Sequence, residues 1–446
     1  MKERKSEMEN SGNGKMEMKY CGIKDLKNAT IPELKKEIER LTGLSEFYDG
    51  KQLAQKLFLN ASYGSVASKF FEMHNRNVAE AITLQGQDLN HFSENCMNRF
   101  FTRYLPKQID FLKKYNPELK EPVIIDLSEG RLTENKPLNL KEPAYSHLES
   151  NYSATVIGDT DSIYVEFGRI ANQLGIPIEK QAEFSVDVWN NFGAGYMQKC
   201  YDAYAKYYNC DKNLELLELE KISRTVIAIQ KKHYAIDKCW EEPGIFLEPL
   251  SHISYTGVEV VQGGTPSFIR KCHKDFYKFI FQKYIKNEKP QYSEIVSKFQ
   301  KYKKDFKQRT KSSMKKDGID EICKATGMNN YEKYILDDKN SVTVELHTPV
   351  TCRAAAYYNH DLYKKKSRME KYMKIKSGDK IRWYYTTDKS RPVYAFLPYN
   401  YPSEFAPEID IDTEFEKLIL EPLNNIVSIL GYRPLNSKLC YENSLF

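Results

Sequence analysis

The sequence predicts an α+β fold: an antiparallel sheet carrying a two-aspartate hairpin, with a helical segment before it and a mostly helical region after it. Two stretches carry the sheet. Residues 155–167, TVIGDTDSIYVEF, set β-branched and aromatic residues on both sides of Gly-Asp-Thr-Asp, the composition of two strands around a tight turn. Residues 214–240, LELLELEKISRTVIAIQKKHYAIDKCW, alternate apolar and polar side chains and are predicted to form two or three strands. The flanking segments have the 3.6-residue period of helices but no βαβ alternation, which favours α+β over a doubly wound sheet.

Taken in order, the first twenty residues mix Lys, Glu, Met, Asn and Gly and read as loose helix or linker. Thr30 and Glu33 form a capping box, and Ile31, Leu34, Ile38 and Leu41 recur at helical spacing, with Gly43 the expected stop. A second helix is predicted over about 50–63 and a third from Asn77 through Phe101. Residues 106–152, poor in hydrophobic groups, read as an insertion or long connection before the hairpin. A helical stretch over 181–208 follows the hairpin, and from Thr265 onward the pattern is mostly helical and basic.

With 446 residues and 52.1 kDa the chain has room for two or three domains. Nine cysteines, an odd number without a CxxC pair, give no disulfide framework or zinc site and favour a reducing cytoplasm. The charged start MKERKSEMEN lacks the apolar core of a signal peptide, and no run of eighteen apolar residues occurs, so no membrane association is expected. The net charge of +6 is unevenly spread. Residues 270–316 and 364–380 are rich in Lys and Arg, the former with Phe and Tyr interleaved, while 404–421 is acidic. Such segments are either solvated helix faces or a surface that tracks phosphates, with Lys301, Lys303, Lys304 and Lys307 as candidate contacts.

Two patterns carry chemistry. Asp159 and Asp161 alternate along a strand and so point the same way. They are either the Asx residues of a turn or a pair of hard oxygen ligands whose repulsion a cation such as Mg²⁺ relieves. Gln52, Lys56, Asn60 and Tyr63 share one helix face beside Leu53 and Leu57. That face is either solvated or able to meet a phosphate through Lys56 and a flat base or sugar through Tyr63.

In combination these pieces resemble the family B DNA polymerases, and among them the replicative polymerases of large tailed phages. KLFLNASYG (56–64) resembles the family's Lys-x3-Asn-Ser-x-Tyr-Gly motif, and ITLQGQ (82–87) the helix after it. IGDTDS (157–162) resembles the Tyr-Gly-Asp-Thr-Asp-Ser motif, KKHYAI (231–236) the Lys-Lys-x-Tyr motif, and GVEVVQGGTPSFIRK (257–271) the Gly-x-Glu and Thr-Pro pattern beyond it. The resemblance implies partial fingers over 1–64, a palm over 65–264 and a thumb with tail over 265–446. It makes Asp161 a ligand of two Mg²⁺ ions, with Asp159 beside it and Glu220 nearby. Lys56, Asn60, Tyr63, Gly64, Gln52 and Arg4 fall to the incoming dNTP and nascent pair. Lys231, Lys232, His233, Tyr234, Gly257, Glu259 and Thr265, with thumb lysines Lys301, Lys303 and Lys304, fall to primer-template DNA.

The sequence departs from the family at Ile157 for Tyr, Ala61 for Ser, His233 for Arg, and Met8 where a Lys follows the position of Arg4. It contains no Asp-x-x-Ser-Leu-Tyr-Pro motif, the source of the family's other essential aspartate, and no exonuclease acid motifs. The expectation is therefore the C-terminal polypeptide of a split polymerase, in the cytoplasm of a phage-infected bacterium. An N-terminal partner chain would supply the exonuclease and second aspartate, and the tail YENSLF (Tyr441–Phe446) would dock on a sliding clamp. The alternatives are a non-catalytic DNA-binding fragment, including a decayed gene product, and a metal-dependent nuclease using the Asp pair.

Overall fold

A computed structural model describes residues 29–128, 131–132, 152–159, 162–242, 244–313, 319–335, 337, 339, 342, 347–398 and 400–440. The chain divides into two units, Met1–Phe92 and Ser93–Phe446.

The first unit is built on α1, Ile31–Ala67, a helix of 37 residues. Its start is as the sequence predicts: the Glu33 carboxylate accepts from the Thr30 N–H at 2.8 Å and from the Thr30 hydroxyl at 2.7 Å. Gly43 does not stop it, and the two helices expected on either side are one. A glycine inside a helix costs only about 1 kcal/mol relative to Ala, and no Pro follows Gly43 or Gly50 to enforce a break. The second helix, α2 (Arg76–Arg99), begins where the Asn75 side chain accepts from the Val78 N–H at 3.1 Å. Its residues from Ser93 onward belong to the second unit.

In the second unit, β1 (Thr155–Asp159) and β2 (Ser162–Val165) form the predicted antiparallel hairpin. Helices α3 (Phe167–Gln173), α4 (Gln181–Val188) and α5 (Ala194–Tyr207) follow, the last two joined by a π-helical turn. Strands β3 (Lys221–Gln230) and β4 (His233–Glu241) pair antiparallel, and β5 (Ile245–Phe246) and β6 (Ile253–Thr256) both pair with β4. Residues 214–220 are not a strand: their alternation breaks at Leu216-Leu217, and Leu214 and Leu216 face solvent. Residues 106–128, read as part of an insertion or long connection poor in hydrophobic groups, nevertheless contribute to the core. Leu112, Tyr115, Leu119, Ile125 and Leu127 are buried, and Tyr115 packs edge-on against Phe184 of α4 at 5.0 Å. Residues 133–151 lie outside the described set.

Beyond residue 265, α6 (Ser267–Ile285) and α7 (Tyr292–Ser313) bury an aromatic seam in which Phe276 meets Phe299 at 5.4 Å. A three-stranded antiparallel sheet, unforeseen in a region expected to be mostly helical, follows from β7 (Lys324–Gly327), β8 (Lys380–Tyr385) and β9 (Val393–Phe396). Helix α8 (Val350–Tyr363) packs on β8 and β9, and α9 (Glu421–Ile429) packs on β3, within one continuous core. The mixed, antiparallel architecture is the α+β class the sequence indicates. Among the described residues no helix is long and apolar enough to cross a membrane.

The backbone of Gly264 is where the Gly-Gly-Thr-Pro segment meets this sheet. Ala325 N donates to Gly264 O at 3.0 Å, and a Cβ on Gly264 would stand 2.5 Å from Ala325 O. Gly264→Ala is therefore expected to destabilise the fold by about 1–3 kcal/mol, read as a lower urea midpoint. Gly263→Ala, with nothing within 4 Å of its added carbon, is the control that should move little.

Candidate active site and nucleic-acid interface

The hairpin's tip is set by pairing and its base by one buried amide. Asp159 closes β1 opposite Ser162, the first residue of β2; Thr160, Asp161 and the Asp159 side chain lie outside the described set. At the base, Asn98 of α2 accepts from the Ala154 N–H at 3.0 Å and donates to the Ser153 hydroxyl at 3.2 Å. Asn98, Ser153 and Ala154 are all buried. Sequence reasoning missed Asn98; a polar residue among the apolar positions of a helix was its only signal. The flank of the hairpin is held by Tyr164, whose hydroxyl is 3.2 Å from that of Tyr234 and whose ring lies edge-on to it at 5.6 Å. The Lys221 ammonium sits 5.5 Å from the Tyr164 ring, so the residue after Glu220 also touches the hairpin. Glu220 itself is exposed, and its carbonyl accepts from the Glu242 N–H at 3.0 Å.

Tyr234 thus belongs first to the core, while its neighbours Lys231 and Lys232 form the exposed turn between β3 and β4. Lys232 has φ 62°, a left-handed conformation that costs about a kcal/mol or more for a residue with a Cβ. The neighbouring Gly257 has φ 66°, and a Cβ on it would stand 2.1 Å from Lys232 O. His233 keeps its Nδ1 within 3.1 Å of Lys231 O and 3.2 Å of the Gln230 amide nitrogen. Glu259, Gln230 and His233 line one cleft of about 290 Å³ together with Asn425 and Ser428 of α9. Thr265 lies near α6, its carbonyl accepting from Arg270 at 3.2 Å.

In the first unit, Gln52, Lys56, Asn60, Tyr63 and Gly64 are all exposed on α1. The Tyr63 hydroxyl bonds Thr83 of α2 at 2.8 Å, and a Cβ on Gly64 would have open space. The apolar neighbours Leu53, Leu57 and Phe58 are exposed too, and α1 buries no residue. Arg4 and the tail Tyr441–Phe446 lie outside the described residues.

On α7, Lys301, Lys304 and Lys307 are exposed, but Lys303 is not. It is buried with its ammonium 2.6 Å from Asp412 and 5.1 Å from the Phe415 ring, so it cannot serve the phosphate-facing surface expected of it. Helical phase explains the difference: Lys303 shares the buried stripe of Phe299, Phe306 and Thr310. Among the described residues no three His, Cys, Asp or Glu side chains converge as a metal site.

Residues 30–191 match the family profile described as DNA polymerase family B. Two curated relatives are the DNA-directed DNA polymerase of Enterobacteria phage T4 and the DNA polymerase of Choristoneura biennis entomopoxvirus. The first is 23% identical over 293 residues, covering 61% of this chain and 28% of the phage protein. The second is 23% identical over 197 residues, covering 43% of this chain and 17% of the viral protein. The chain therefore aligns with well under a third of either relative's length.

The Asn98 contacts make a direct expectation about the hairpin's base. Asn98→Ala deprives the buried Ala154 N–H of its acceptor, which should cost about 1–3 kcal/mol. Equilibrium unfolding in urea measures this, and a change below about half a kcal/mol would mean that another acceptor replaces the amide.

Proposed function

We propose that this chain, a family B DNA polymerase relative resembling those of phages, takes part in template-directed DNA synthesis. The observation that carries the reading is the hairpin: β1 runs to Asp159 opposite Ser162, the pair is fixed at its base by Asn98 and on its flank by Tyr164, and Asp161 falls between the two strands in the sequence. Residues 1–64 correspond to partial fingers, 65–264 to the palm and 265–446 to the thumb.

Asp161 and Asp159, hard oxygen donors, would hold Mg²⁺, with Glu220 close to the site. Two such ions, when bound, stabilise charge on the attacking and leaving oxygens of nucleotidyl transfer. The chain's own residues bind and orient. Lys56 places a point charge for the dNTP triphosphate, one helical turn from Asn60, while Tyr63 and Gly64 offer a flat, open surface to the nascent pair. The exposed Lys231–Lys232 turn and the exposed α7 lysines meet duplex phosphates without reading sequence.

A second aspartate is needed from polypeptide outside these 446 residues, because no counterpart of its motif occurs here. One or two carboxylates do not hold two divalent ions against their mutual repulsion. The chain alone is then a primer-template binder, and a partner chain carrying that aspartate and the exonuclease completes the enzyme. The alternative of a non-catalytic DNA-binding fragment differs in one respect: it has no use for Asp161.

Asp161→Asn decides between them. In single-turnover extension by the completed enzyme the rate should fall about a thousandfold or more, with primer-template affinity nearly unchanged. Equal rates for variant and wild type would end the catalytic assignment.

The duplex-binding part is tested separately by salt. Replacing Lys301, Lys304 and Lys307 with Ala should reduce the slope of log affinity against log salt by about 0.9 for each phosphate no longer neutralised. An unchanged slope would return this helix face to plain solvation.

A further inference from the structure

The exposed turn between β3 and β4 carries a third basic residue, one whose charge depends on pH. Directly after Lys231 and Lys232, His233 opens β4 with its ring half-buried. The ring rests on bare backbone, since a Cβ on Gly257 would stand 3.3 Å from its Cδ2. Its Nδ1 lies 3.1 Å from Lys231 O and 3.2 Å from the Gln230 amide nitrogen. A backbone carbonyl only accepts, whereas an amide side chain can rotate to present its oxygen, so the ring's proton belongs on Nδ1. Nε2 of the neutral ring is then a bare lone pair. Among the described residues Nε2 has no hydrogen-bond partner, and it is not one of the buried unpaired atoms, so it opens to solvent. Such a lone pair beside a phosphate oxygen is acceptor against acceptor. One added proton turns Nε2 into a charged donor while Nδ1–H keeps its place at the Lys231 carbonyl.

We infer that His233 is a proton-dependent phosphate contact, which when protonated at Nε2 adds a third point of grip to the Lys231–Lys232 turn and makes the hold on primer-template DNA stronger in acid than in base. This rests on reading that turn as a duplex contact. The charged groups around the ring are Lys231 and Lys232 in its own turn and Glu259, which borders the same cleft of about 290 Å³ and lies 3.9 Å from the buried His273 behind it. Helix α9 brings only Asn425, Ser428 and Ile429 to that cleft. Glu259 is therefore the rival to a duplex phosphate for the protonated ring.

The sign follows from linkage. A phosphate favours the charged ring, so the affinity that His233 adds is fully present at acid pH and is lost as pH rises through the imidazole range. An exposed ion pair of this kind is worth about two- to fivefold in affinity. The phosphate it neutralises should also steepen the slope of log affinity against log salt by about 0.9 at acid pH. A ring that merely shaped the turn would change affinity and leave the slope alone.

Fluorescence anisotropy of the full chain with a labelled primer-template, at about pH 6 and about pH 8, measures both quantities. The chain has eight histidines, so the effect is read as the difference between wild type and His233→Gln. Wild type should bind more tightly and with the steeper slope at the lower pH, and His233→Gln should lose that increment. His233→Arg, charged throughout, should keep the tight and steep behaviour at both pH values. Calorimetry in buffers of different ionisation heat gives a second readout: wild type should take up more protons on binding than His233→Arg. If replacing Lys231 and Lys232 together by Gln leaves affinity and slope unchanged, the duplex reading of the turn fails. If that replacement weakens binding while wild type and His233→Gln respond to pH alike, the turn still holds DNA and the proton-dependent contact is overturned, as it would be if the protonated ring turned to Glu259 instead.

Discussion

The fixed position of the two-aspartate hairpin depends on one buried amide. Asn98, near the end of α2, serves the Ser153 hydroxyl and the Ala154 N–H together, so a helix and the strand leading into the hairpin share one set of hydrogen bonds in the interior. Buried polar groups are costly when unpaired, which leaves this base few alternative arrangements. From there the pairing register carries the backbone to Asp159 opposite Ser162. Tyr164 then ties the flank of the hairpin to Tyr234, which pairs through β4 with the whole four-stranded sheet.

Two glycines do for the C-terminal half what Asn98 does for the hairpin. Gly257 lets the chain pass against the Lys231–Lys232 turn, and Gly264 lets it pass against β7. The two positions are close in sequence, so the segment that leaves the four-stranded sheet is pinned at both ends before α6 begins. The orientation of α6, and of the α7 lysines beyond it, follows from those two backbone contacts together with the aromatic seam. In this stretch, packing constraints and candidate nucleic-acid contacts are set by the same few residues.

Much of this is legible in the sequence where a local pattern decides the outcome. Alternation and turn residues mark the hairpin and the β3–β4 pair, and the capping box marks the start of α1 to the residue. The failures have a common cause in information that is not local. Gly43 reads as a stop, yet glycine ends a helix only when the next residues cannot continue it. Leu112, Tyr115 and Leu119 do recur at i, i+3 and i+7, but the Lys, Asn, Pro and Glu residues between them mask that core contribution. Lys303 groups in sequence with its basic neighbours, although Phe299 and Phe306 already mark its helix face as buried. Its partner Asp412 is over a hundred residues away and cannot be read from the run itself.

Fold alone does not separate a polymerase from a nuclease or from an inert DNA-binding remnant, since all could share these sheets and helices. The residue types at the exposed positions do more. A hairpin with only a structural duty is best served by Asn-Gly or Asp-Gly. Two carboxylates one residue apart in the sequence instead repel each other. Two acids therefore weaken the tip unless a cation is bound there, which a remnant without catalytic work would not require. A nuclease would explain the acids but not α1, where Lys56, Asn60 and Tyr63 stand exposed in a row along a helix that buries nothing. A point charge, an amide and a flat ring on one face suit a triphosphate and a base pair better than they suit water. It is for this reason that nucleotide addition, which would use both features, is the reading proposed.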